Sequence, residues 1–88
     1  MGIINLINQI GDNMKINNVK TNVTELFTND GAVIMFSYNT PVCAQLSGGG
    51  FVKTDEYYSR TTSKHINQWL NGVNAEPVSQ DFIDNLVG

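Results

Sequence analysis

Six residues between positions 53 and 65 carry the chemistry this chain could offer a ligand: Lys53, Tyr57, Tyr58, Arg60, Lys64 and His65. Cations interleaved with aromatics can neutralise phosphates and stack bases, each stacked base being worth about 1–3 kcal/mol. Thr61, Thr62 and Ser63 lie among them and offer side-chain oxygens to cap a helix. The free amides and partial positive charge of that helix start would favour an anion. Asp55 and Glu56 cancel two of the three cationic charges, so the same stretch also reads as an ordinary strand-to-helix junction.

His65 is the only histidine and Cys43 the only cysteine. An imidazole at position 65 could act as general base on Thr62 or Ser63, or change charge near pH 6.5. Catalysis would also need an orienting carboxylate, an oxyanion site and a pocket. A histidine bonded to backbone or to a hydroxyl is the expected outcome. Cys43 stands between Val42 and Ala44, where a thiol behaves as a small buried hydrophobe, not as the nucleophile of a Cys43–His65 dyad. The acidic residues are dispersed along the chain, so neither a metal site nor a cofactor is expected. Gly48-Gly49-Gly50 lacks the Lys-Ser/Thr pair of a phosphate loop and opens a strand; it reads as a hairpin turn. No catalytic residue is assigned, and the chain is not expected to be an enzyme.

These side chains need elements to hold them. Ile3, Ile7, Ile10 and Met14 form one stripe of a helix predicted over 3–15. That stripe either covers a sheet face or serves self-association and partner binding. Antiparallel strands are expected across 19–58. Val19 to Phe27 is rich in β-branched and aromatic residues, Asn29-Asp30-Gly31 is a turn, and Ala32 to Tyr38 is a buried apolar strand. Pro41 has no amide to donate, so the chain must bend, bulge or end there. Val42, Ala44 and Leu46 then alternate with Cys43 and Gln45, and Phe51 to Thr54 returns after the glycine turn. A helix over 62–71 buries Ile66, Trp69 and Leu70 and ends at Gly72, Val73 to Pro77 is a linker, and Ser79 caps a last helix over 79–87. The fold class is α+β: a three- to four-stranded antiparallel sheet with a helix packed on one face and short N- and C-terminal helices, in a single domain over 1–88.

Composition narrows the partners. At 88 residues, with 41% apolar, the chain can build one modest core, and two would be too small to stand. A net charge of −3 excludes broad field-driven attraction to nucleic acid or to an anionic membrane, leaving any such role to a local patch. One cysteine excludes a disulfide framework. The first fifteen residues lack the basic and continuous apolar regions of a signal peptide, and no stretch reaches transmembrane length. A cytoplasmic protein without a membrane partner is expected.

Phe36 to Leu70, FSYNTPVCAQLSGGGFVKTDEYYSRTTSKHINQWL, is the most particular part of the chain. Its FSYNTPVCA start, glycine turn and YYSRTTSKHINQWL end resemble a small family of uncharacterised phage and bacterial proteins. The matching positions are Tyr38, Thr40, Pro41, Val42, Ser59, Thr61, Thr62, His65 and Trp69. The resemblance implies a source and an architecture but no activity. Twelve Asn and eight Ile against a single Arg fit an AT-rich coding genome of that kind. The function expected is a non-enzymatic, phage-type accessory protein in the cytoplasm of a bacterial host. It would bind a protein partner, a host or defence factor, through a sheet edge or an exposed apolar helix face, with homodimerisation as a variant. The alternative is a nucleic-acid-binding module using the basic and aromatic residues of 53–65.

Overall fold

The computed structural model describes residues 15–88. Strands β1 (Lys15–Lys20), β2 (Val23–Phe27), β3 (Val33–Ser37), β4 (Thr40–Gln45), β5 (Phe51–Thr54) and β6 (Glu76–Val78) and helices α1 (Arg60–Leu70) and α2 (Gln80–Val87) build an α+β fold. The strands form one sheet in chain order, antiparallel from β1 to β5, with β6 added parallel to β5.

The sheet is therefore six-stranded and mixed, a correction to the three or four antiparallel strands expected. Residues 19–27 read as one strand from their composition, but Asn22 takes a φ of 66° and turns the chain between β1 and β2. The segment 73–77 reads as a linker because of its proline. Its end instead pairs with β5, and Pro77 is tolerated because β6 is an edge strand. The helix expected over 3–15, with the self-association stripe Ile3, Ile7, Ile10 and Met14, lies outside the described residues, except for Lys15, which opens β1.

Strand pairing sorts side chains onto two faces. Ile16, Leu26, Ile34, Ala44 and Val52 align in one row across five strands. Leu86 and Val87 of α2 pack on that side. On the other side Val23, Met35, Val42 and Cys43 meet Ile66 and Leu70 of α1, with Phe51, Trp69 and Ala75 at the border. Helices thus lie on both faces, where one face was expected to carry the packed helix.

Two bulges determine what reaches α1. Asn18 pairs with Thr24 and Lys20 with Val23, leaving Val19 as an extra residue. Strict alternation from Ile16 would send Lys20 to the α2 side; the extra residue puts it opposite Val23, on the α1 side. In β4, Pro41 opposes Phe36 and Cys43 opposes Met35, leaving Val42 extra where the proline lacks an amide. Val42 and Cys43 consequently share the α1 side while Ala44 and Leu46 pack on the other, which corrects the simple alternation read from the sequence.

Helix α1 begins two residues before the expected start at 62. Ser59, not one of the three hydroxyls after it, is the N-cap, and its Oγ accepts from the Thr62 amide at 3.1 Å. Asn71, at φ 49°, followed by Gly72, at φ 86°, ends the helix in left-handed conformations. Ser79 caps α2 by accepting from the Phe82 amide at 3.2 Å.

Candidate functional site

Ser37 closes β3 on the α1 side, and Thr62 and His65 stand three apart on the buried stripe of α1. The Ser37 hydroxyl lies 3.0 Å from Thr62 Oγ1 and 2.8 Å from His65 Nδ1, and all three residues are buried. One consistent arrangement has Thr62 donating to Ser37 and Ser37 donating to Nδ1; the reverse sense also closes the set.

A Ser–His contact at this distance meets the first requirement of nucleophilic catalysis, but the surroundings do not meet the rest. Ser37 is only 2% exposed. The charges acting on His65 are Lys20 and Lys64, not an orienting carboxylate, and they add to burial in holding the imidazole below its ordinary pKa of 6.5. The arrangement joins β3 to α1. It also makes folding sensitive to acid. In the unfolded chain His65 takes up its proton near pH 6.5, and in the folded chain only at lower pH. Between those values the unfolded state binds more protons, so stability rises with pH across that window. Thermal melts from about pH 8 to about pH 5 should show stability falling below about pH 6.5 and the His65 part of the loss levelling once the folded group is charged. A His65→Asn variant should lack that step, and an unchanged profile would contradict the assignment.

Around this junction three elements converge. Lys20 donates from Nζ to Gln68 Oε1 on α1. Arg60, Lys64, Asn67, Gln68 and Asn71 line an open groove along the outer side of α1, with Thr61 and Ser63 between them. Helix α1 contains no acidic residue. Glu25 reaches the helix at its far end, where its Oε2 accepts from Trp69 Nε1 at 2.7 Å and its Oε1 from Asn17 Nδ2 at 3.1 Å. Arg60, the first residue of α1, opposes the helix dipole, a cation there costing about 0.3–1 kcal/mol. Helix stability therefore does not account for the placement of Arg60.

Tyr38 adds an aromatic surface. It occupies the β3–β4 turn at a φ of 58°, is 48% exposed, and sets its ring 5.8 Å from that of His65. Its amide donates to the Asn22 carbonyl at 2.7 Å, which holds the β1–β2 and β3–β4 turns side by side. Asparagine tolerates positive φ, as Asn22 does; a bulky aromatic there is an outlier, and the adjacent Asn39 would be the easier occupant.

The six residues singled out from the sequence are not one surface. Arg60 and Lys64 line the groove, while His65 points into the junction beneath it. Lys53 is half-buried in mid-β5, opposite Cys43 and Pro77. Tyr57 is exposed in the loop before α1. Tyr58 turns to the other helix: its hydroxyl donates to Gln80 Oε1 at 2.8 Å, and Gln80 Nε2 donates to the Pro41 carbonyl at 2.7 Å. Partial burial, then Glu56, Asp84 and Asp55, push the Tyr58 phenol up. Lys20, Asn67 and Gln68 were not singled out, and Tyr38 was marked only as a position of the family resemblance, not as a site residue. The i, i+4 spacing of Arg60, Lys64 and Gln68 was a usable signal, whereas nothing local marks Lys20. Cys43 is fully buried, and burial pushes its thiol up to about 12, so it supplies no thiolate at neutral pH. Among the described residues no group of three His, Cys, Asp or Glu side chains is placed to hold a metal ion.

Fold and site together define a small α+β domain: a mixed six-stranded sheet between two helices, one of which exposes a groove of cations and amides. No helix among the described residues is long and apolar enough to cross a membrane. The chain belongs to the family of unknown function DUF8033, which it matches over residues 7–85, well beyond the Phe36–Leu70 stretch that carried the resemblance to an uncharacterised family. Neither a curated protein nor a solved structure matches it.

Proposed function

We propose that this domain is a non-enzymatic binding module that holds nucleic acid on the outer side of α1 and the adjoining turns. The observation that carries the reading is that Arg60 and Lys64 line a groove of amides and hydroxyls, and that Lys20, from a distant part of the chain, binds Gln68 of the same lining. Phosphates are neutralised by such cations, and Asn and Gln side chains suit sugar and base edges. The protein-partner reading rests on a sheet edge or on the apolar stripe at 3–14. Among the described residues the edges discourage pairing: β1 carries Lys15 and Lys20 at its ends, and β6 is three residues long with Pro77 inside it. In the phage-type setting the sequence implies, the ligand is met in a bacterial cytoplasm.

Fluorescence anisotropy of labelled oligonucleotides tests the proposal. Binding should saturate at low salt and weaken as salt rises, with a log–log slope of about −2 for three contacts at about −0.7 each. Lys20→Glu combined with Lys64→Glu should abolish it, with circular dichroism establishing that the variant still folds. Absence of binding at low salt, confirmed by gel shift, would overturn the proposal and return attention to a protein partner.

A further inference from the structure

Resting on that reading, we infer that the ligand is a single strand, with one base stacked on Tyr38 and the flanking phosphates taken by Lys20 and Lys64. Three observations meet at this point. Tyr38 is an exposed aromatic kept at a positive φ that a smaller residue would hold with less strain, so its ring serves something other than the turn. His65 supports the ring from the protein side at 5.8 Å, tilted by 45°, which leaves the rest of the ring to solvent. Lys20 stands two residues before Asn22, whose carbonyl accepts from the Tyr38 amide, and it also binds Gln68, while Lys64 adjoins His65 on α1, so both cations belong to the elements that flank the ring. A π-face is useful only to an unstacked base, and every base has one, so such a platform is sequence-tolerant.

Charge density points the same way. A duplex carries one charge per roughly 1.7 Å of axis, whereas one strand carries half that. A chain of net charge −3 with two cations lining the groove and Lys20 bonded to Gln68 at its edge is better matched to the sparser ligand. Helix α1 is also packed on the sheet through Ile66 and Leu70, with Tyr38 beside His65, so the exposed ring adjoins the helix that carries the groove.

The test compares a labelled mixed-sequence DNA strand of about 20 nucleotides with the same strand annealed to its complement, on the wild-type chain and two variants. Tyr38→Gly suits the turn backbone and removes the platform; Tyr38→Phe keeps the ring. The wild type should prefer the single strand. Tyr38→Gly should weaken single-strand binding about 5- to 150-fold, the loss of one stacked base, and Tyr38→Phe should bind like the wild type. Circular dichroism and thermal melts establish that both variants fold. If the duplex binds as tightly as the strand, or Tyr38→Gly binds the strand unchanged, this inference fails while nucleic-acid binding stands. If neither probe binds at low salt, both fail.

Discussion

Ile34→Ala is expected to lower stability by about 2–5 kcal/mol, the usual range for truncating a buried Ile or Leu. Ile34 is fully buried in β3 near the middle of the sheet, with Leu26 and Ala44 on either side in its row. Leu86 and Val87 of α2 pack over the cluster to which it belongs. Ala44 is too small to move into the space left, and Leu26 is held in register by β1 and β3, so the cavity should stay largely open. A domain of 88 residues sits near the lower end of the 5–15 kcal/mol stability range, so the loss should leave much of the population unfolded at physiological temperature. Urea denaturation checks it, with Ile34→Val as the graded control at about 0.5–1.5 kcal/mol. A loss under about 1 kcal/mol for the alanine variant would mean that the α2 side collapses around the cavity and that Ile34 is not central to the core.

Ser37→Ala should have the next largest effect, about 1–3 kcal/mol, although it removes one oxygen atom. That oxygen is the shared partner of Thr62 Oγ1 and His65 Nδ1 in a buried site. Its loss strips a hydrogen bond from both, and buried polar groups left unpaired keep their desolvation cost. The effect should be concentrated in α1, since its Thr62 and His65 are the side chains anchored there. Urea denaturation gives the total, and hydrogen exchange should show α1 amides losing protection before those of β3. A double-mutant cycle with Thr62→Ala should return a coupling of about 0.5–3 kcal/mol. Strict additivity would show that the contacts are independent and that no shared network exists.

The local elements were legible where one kind of signal sufficed. The α+β class follows from β-branched runs broken by turn residues and followed by a stripe at helical spacing, as at Ile66 and Leu70, both buried. Backbone punctuation was legible too, because Pro41 cannot donate an amide wherever it stands. The signal failed where the determinant lay in a neighbouring strand. Nothing in Glu76-Pro77-Val78 marks a strand; it pairs because α1 returns the chain alongside the exposed edge of β5, and parallel pairing of three residues needs that placement more than intrinsic propensity.

The candidate site divides along the same line. The cations Arg60 and Lys64, the amides Asn67 and Gln68 and the absence of acids on α1 are properties of the sequence alone, because helical spacing puts them on the side away from Ile66 and Leu70. The sequence likewise holds a single histidine and a single cysteine, 22 residues apart in the chain. Only the tertiary structure could bring Lys20 and Tyr38 to that helix, because the face a strand residue occupies depends on register, and register is set by pairing. One extra residue at Val19 reverses the side on which Lys20 stands. One hydrogen bond between two turns brings Tyr38 beside Asn22, 16 residues away in the chain. Residues far apart in sequence met there because sheet pairing transmits position across strands, which local spacing cannot encode.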